Sequence, residues 1–81
     1  MKVHELKIDP KYFDEIVDGI KTFEVRKNDR NFKVGDHLLL KVFDKERGFC
    51  SGNNVTVKIT YILDDQEFLR ENYVILGIKR I

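Results

Sequence analysis

The sequence predicts a small, mainly β fold of the α+β class: a closed barrel of five to six short strands, with one helix inserted after the first strand and a short helical turn before the last. Three observations point there. Most of the chain alternates apolar and polar residues with period two, a single segment repeats at three and four residues, and the strand candidates are separated by turns rich in Gly, Asn and Asp. Closing such a set of short strands on itself removes free sheet edges, which otherwise invite pairing with other chains. The 81 residues make one domain, 1–81, with one core. A chain of this length buries only about 60 to 65% of its unfolded surface, enough for a core and too little for a large internal cavity.

Lys2 to Ile8 alternate, with His4, Leu6 and Ile8 on one side and Glu5 and Lys7 on the other, as in a strand buried on one face. Asp9-Pro10 is a helix start, since Asp9 can accept from the free amides and Pro10 suits the first helical position, where no N–H is needed. The helix is expected over Pro10 to Asp18, with Tyr12, Phe13, Ile16, Val17 and Ile20 as its buried stripe and Gly19 as its left-handed stop. Beyond Gly19 the period falls to two. Phe23 and Val25 then share one face of a second strand, and Thr22, Glu24 and Arg26 share the other. Lys27 to Asn31 is a polar turn, and Val34-Gly35-Asp36 a tight turn into a strand over His37 to Phe43 that looks central. Asp44 to Gly48 is a charged loop, Phe49 to Ser51 a short strand, Gly52-Asn53-Asn54 a turn, and Val55 to Leu63 a cleanly alternating strand. Asp64 to Asn72 has room for one helical turn around Phe68 and Leu69, and Tyr73 to Ile81 closes the set. The helix is expected to plug one end.

Composition excludes several classes of function. Fifteen Lys and Arg nearly cancel fourteen Asp and Glu, so no whole-molecule field favours nucleic acid and any basic footprint must be local. The single Cys50 rules out an internal disulfide and argues against a secreted disulfide framework. The N-terminal M-K-V-H-E-L-K has no signal-peptide character, and no apolar run approaches the roughly 18 residues of a membrane span. The expected location is the cytoplasm, away from membranes. His4, His37 and Cys50 do not stand at ligand spacing, so neither a metal nor another cofactor is expected.

The stretch Gly19 to Arg26, G-I-K-T-F-E-V-R, carries the most chemistry. From Lys21 to Lys33 five cations, Lys21, Arg26, Lys27, Arg30 and Lys33, face only Glu24 and Asp29, so the balanced chain is basic here. Thr22, Glu24 and Arg26 align a hydroxyl, a carboxylate and a planar donor fork within roughly 13 to 14 Å of strand. Such a row can meet a base edge and a phosphate together. Lys21 has the opposite parity, yet its long stem at the glycine corner can swing to the same mouth. The alternative is a solvated Glu24–Arg26 pair on an ordinary charged face. His4 is by default a half-buried histidine satisfied by one hydrogen bond; its functional alternative is an imidazole bonded to a ligand or to Glu24. For nucleophilic catalysis only Thr22 beside Lys21, or Cys50 beside Ser51, offers a hydroxyl or thiol near a possible partner. Cys50 otherwise serves as a small apolar residue. Phe32, Phe43, Phe49 and Tyr61 are the aromatics considered for stacking on a base, though most of them must be core.

With Gly19-x-Lys21-Thr22-x-Glu24-x-Arg26 followed by Val34-Gly35-Asp36, the chain resembles the activating signal cointegrator homology (ASCH) domains, members of the PUA-like β-barrels, whose hallmark is G-x-K-x-x-E-x-R. H-E-L-K-I-x-P-x-Y-F, K-T-F-E-V-R-K-N-D-R-x-F and I-T-Y-I-L look like a compact bacterial and phage branch of that group. The resemblance covers nearly the whole chain. It implies a motif strand lining a cleft beside the helix, and binding of RNA or of a modified nucleotide through Lys21, Glu24 and Arg26. Some relatives deacylate an acylated cytidine using a lysine, a threonine and a glutamate. Here Lys21 matches the lysine, Glu24 stands at the threonine's position, and the segment bearing the glutamate is shortened to Asp64 to Asn72. Cys50-Ser51-Gly52-Asn53 departs from the branch, where a threonine before the glycine and a basic residue after it are expected, which implies a weaker phosphate contact there.

The leading expectation is therefore a binding module, not an enzyme, that recognises RNA or a nucleotide-derived ligand. Lys21, Thr22, Glu24, Arg26 and His4 are the expected ligand-binding groups, with Lys27 and Arg30 as a basic rim. The competing expectation is a small hydrolase of a modified nucleoside, with Lys21, Thr22 and Glu24 as catalytic candidates. A third is a regulatory protein that binds a protein partner through the basic face.

Overall fold

The computed structural model describes residues 1–81, and its elements are β1 (Val3–Ile8), α1 (Pro10–Val17), β2 (Phe23–Lys27), β3 (His37–Asp44), β4 (Phe49–Leu63) and β5 (Tyr73–Arg80). The strands form one sheet in the order β1-β3-β4-β5-β2. β1 runs parallel to β3, and every other neighbouring pair is antiparallel. The sheet curls into a half-barrel with β1 and β2 as its two edges. No backbone ladder joins those edges; instead Arg26 Nη2 donates to Lys7 O at 2.6 Å and Arg30 Nη1 to Glu5 O at 3.2 Å. Two guanidinium groups thus span the seam where a closed barrel would carry strand pairing.

Alternation decides the core. Leu6 and Ile8 from β1, Leu38, Leu40 and Val42 from β3, Val55, Val57 and Ile59 from β4, and Val74, Leu76 and Ile78 from β5 all point into the curl and are buried. Ile16 of α1 joins them, with Phe13 and Val17 packed alongside. The helix therefore covers the core through a narrower stripe than its spacing predicts: Tyr12 is 37% exposed and Ile20 72%. Its start is as expected, with Pro10 in the first turn and the Asp9 carboxylate accepting from Lys11 N at 3.0 Å. It ends one residue early, at Val17, because Gly19 takes φ +76° and Ile20 N and Lys21 N both turn back onto Glu15 O. Arg80 Nη1 donates to Val17 O and ties the last strand to the end of the helix.

Two expectations change. Phe49 to Ser51 and Val55 to Leu63 are one 15-residue strand, so there are five strands and not six. Gly52, at φ +93°, sits in a bulge: Phe43 pairs with Cys50 and Lys41 with Asn54, so extra residues of β4 are absorbed without reversing the chain. Asp64 to Asn72 holds the single helical turn expected of it and no longer helix, with Phe68 N and Leu69 N both reaching Asp65 O and the Phe68 side chain 78% exposed. No helix of the chain is long and apolar enough to cross a membrane.

Candidate functional site

At the β2 edge the usual in-out arrangement is reversed. Phe23 and Val25 are about half exposed, whereas Glu24 is buried and Arg26 half-buried. The apolar residues of this strand thus face out and its charges face the curl, so the solvated Glu24–Arg26 pair weighed from sequence is excluded. A buried carboxylate is costly unless paired and hydrogen-bonded. Glu24 meets that requirement on both oxygens, Oε1 accepting from Lys21 Nζ at 2.6 Å and Oε2 from Arg26 Nε at 3.0 Å.

Lys21 reaches this point because the turn after Gly19 anchors its backbone on Glu15 O, and its Nζ also donates to Phe23 O at 2.7 Å. The ammonium lies 5.1 Å from the Tyr12 ring centre and 4.7 Å from that of Phe23, a cationic group between two aromatic faces. Arg26, fixed by Glu24 on one side and Lys7 O on the other, forms the far wall.

These groups line a cleft of about 380 Å³ between α1, β1 and β2, with Ile8, Tyr12, Phe23 and Val25 as apolar walls and Lys7, Asp9 and Lys45 at its rim. Its floor keeps unused hydrogen-bonding capacity. A carboxylate offers about four acceptor positions, of which Glu24 uses two; Arg26 uses two of its five N–H donors and Lys21 two of its three. The cleft therefore presents one acceptor flanked by two sets of donors, under aromatic walls.

The structure brings Lys21, Glu24 and Arg26 together, as the motif implies, and parts them from the other candidates. Thr22 precedes β2 and lines a different hollow, with Lys21, Ile16 and Arg80 but without Glu24 or Arg26, while its carbonyl accepts from Ile78 N to start the β2–β5 pairing. Lys27 lines neither this cleft nor its neighbour. Arg30 lies in the adjacent hollow with Glu5, Lys7, Arg26, Lys41 and Cys50. His4 is not at the cleft: it is buried, its Nε2 is 2.9 Å from Asp36 Oδ2, and its ring packs edge-on against Phe32. Its default interpretation holds, with Asp36 and not Glu24 or a ligand as its partner.

Asp36 is a structural centre. Its carboxylate also accepts from Lys2 N at 3.0 Å and Lys33 N at 3.2 Å, which pins the V-G-D turn to the first strand. The His4 hydrogen bond above all, then the Lys2 amide, outweigh burial and hold its pKa at about 2, below the ordinary 3.8.

The aromatics considered from sequence lie elsewhere: Phe32 is core, Phe43 lies beneath Lys7 Nζ at 4.3 Å, and Phe49 and Tyr61 are exposed away from the cleft. Tyr12 and Phe23 take their place. Helical spacing hid Tyr12 among core positions, and nothing local to Lys7 or Lys45 marked them. No group of three or more His, Cys, Asp or Glu stands close enough to hold a metal ion.

Comparison with known proteins places the chain among relatives. It is 41% identical over 75 residues to the "Uncharacterized 12.9 kDa protein in GpA 3'region" of Escherichia phage P2, an alignment covering 93% of this chain and 66% of the phage protein. The chain thus spans just under two thirds of that relative. The model of a family described as "Domain of unknown function (DUF3850)" matches residues 3–78, and the chain belongs to that family.

Proposed function

We propose that the protein is a recognition module of the ASCH type, with the curled sheet as a PUA-like barrel whose β1–β2 seam is bridged by arginines, and that it takes a nucleotide of single-stranded RNA, or a modified nucleotide, into the Lys21–Glu24–Arg26 cleft. The observation that carries this reading is the buried Glu24 carboxylate, held by Lys21 and Arg26 with acceptor positions to spare, under the half-exposed rings of Tyr12 and Phe23. An aromatic heterocycle with an exocyclic amine beside a carbonyl matches both features: its faces suit the rings, and its edge can donate to Glu24 and accept from Arg26 or Lys21. Lys7 and Lys45 at the rim suit its phosphate. The proposed site of action is the cytoplasm.

Titration of fluorescent single-stranded RNAs at low salt tests this. Wild type binds below about 100 μM, the weak end of non-specific association, and Arg26→Ala and Glu24→Gln lose most of that affinity. No binding, or variants that bind like wild type, would remove the proposal.

A hydrolase acting on an acylated cytidine is the second reading, favoured by one contact, the 2.6 Å approach of Lys21 Nζ to Glu24 Oε1, which sets an amine beside a carboxylate in the cleft. Thr22 shares another hollow with Lys21 and does not line the cleft that holds Glu24. Incubating wild type and Lys21→Ala with acylated nucleosides separates the two readings: turnover by wild type alone favours the enzyme.

A further inference from the structure

We infer that the cleft is the first of two subsites along the β1–β2 seam, and that the hollow beyond Arg26, formed with Arg30 and Lys41, takes the sugar-phosphate backbone of the adjoining nucleotide, making the preferred ligand an RNA chain and not a free nucleotide. This rests on the proposed function and deepens it.

The two cavities share a wall. Lys7 and Arg26 line both, and the second, about 530 Å³, continues from Arg26 to Arg30 and Lys41. The seam they follow concentrates charge. Lys7, Lys21, Arg26, Arg30, Lys41 and Lys45 line the two hollows against Glu5, Asp9 and Glu24, a local excess of three cations on a chain whose formal net charge is +1, so the rest of the molecule is net negative. A polyanion approaching this protein is drawn to the seam and away from the other faces.

Spacing adds a second reason. Arg26 and Arg30 are anchored on the carbonyls of Lys7 and Glu5, and those two carbonyls, two residues apart on one edge of β1, stand about 6.6 to 6.8 Å apart along the strand. That step is close to the separation of successive phosphates in an extended single strand. Each guanidinium keeps donors free: Arg26 uses two of its five N–H groups and Arg30 one. The anchoring also fixes the two side chains before any ligand arrives, which lowers the ordering cost of binding. The second hollow has only two apolar lining residues, Leu6 and Cys50, and lacks the aromatic walls of the first, as befits a backbone subsite and not a base pocket.

The experiment compares cytidine monophosphate, whose base carries the exocyclic amine, with di- and tetracytidylate by calorimetry or competition anisotropy on wild type, Lys41→Ala, Arg30→Ala and Glu24→Gln. The expected result is a rise in affinity of at least tenfold from mononucleotide to tetranucleotide. Lys41→Ala and Arg30→Ala weaken tetracytidylate several-fold and leave the mononucleotide unchanged, and each lowers the salt dependence of tetracytidylate binding by about 0.7 in log–log slope, the loss of one phosphate contact. Lys41 guards against a folding artefact, because its only polar contact is a solvent-exposed 3.4 Å pair with Glu5. Equal affinity for mononucleotide and tetranucleotide, with Glu24→Gln impaired and Lys41→Ala and Arg30→Ala unchanged, overturns the second subsite while leaving the cleft. Absence of binding by every probe overturns both.

Discussion

Replacing Asp36 with asparagine tests the buried link between the first strand and the V-G-D turn. The wild-type carboxylate accepts from Lys2 N, Lys33 N and His4 Nε2 while almost fully buried. An asparagine has one oxygen, so its amide must face at least one backbone N–H as donor against donor. Hydrogen bonds to a charged group contribute about 1.5 to 3 kcal/mol, and a buried unpaired donor costs about 1 to 3 kcal/mol. The expected loss at neutral pH is about 2 to 4 kcal/mol. The pH dependence gives an independent magnitude. The folded-state pKa of about 2 lies below the unfolded 3.8, so the associated stability is fully present above the unfolded value and is lost as pH falls through the folded one. At about 1.36 kcal/mol per pH unit the difference is about 2 kcal/mol. Urea unfolding of wild type and Asp36→Asn from about pH 6 down to pH 2 measures it, and subtracting the two curves cancels the other carboxylates. The gap between the two proteins should narrow by about 2 kcal/mol, mostly below pH 4. A gap that stays constant over this range, or a variant as stable as wild type at neutral pH, would refute the role assigned to the carboxylate.

Leu38→Ala, at a fully buried position of β3, should cost about 2 to 5 kcal/mol and lower the thermal midpoint by roughly 10 to 25 °C, read by circular dichroism. Gly52→Ala should cost about 1 to 2 kcal/mol in the same measurement, because its φ of +93° is strained for any side chain although the space around it is open. Tyr12→Ala should leave the midpoint within a few degrees, the ring being partly exposed, yet weaken the proposed RNA binding about 5- to 100-fold by removing one stacking face.

Much of the molecule was legible along the chain. The period-two run over His4 to Ile8 places its apolar residues on the buried face, the runs over His37 to Phe43, Val55 to Leu63 and Tyr73 to Ile81 fall in strands as expected, and Asp9-Pro10 and Gly19 bracket the helix to within one residue. Gly52-Asn53-Asn54 misled, since the same positive-φ glycine serves a hairpin turn or a bulge, and only the β3 partner selects the bulge. The same holds at the site. G-x-K-x-x-E-x-R named Lys21, Glu24 and Arg26, but alternation alone cannot say which face of a two-sided strand is inside, so a buried Glu24 and an exposed Phe23 were equally consistent with it. His4 and Asp36, thirty-two positions apart, meet only because β1 lies parallel to β3.

By itself, then, the sequence determined most of the elements, the buried face of the first strand and the membership of Lys21, Glu24 and Arg26 in one motif, because local period and turn chemistry are properties of neighbouring residues. Tertiary structure decided that the motif's charges face inward, that Tyr12, Lys7 and Lys45 join them, and that Arg26 and Arg30 bridge the β1–β2 seam. Those are outcomes of which strands become edges and how far the sheet curls, and no local pattern encodes them.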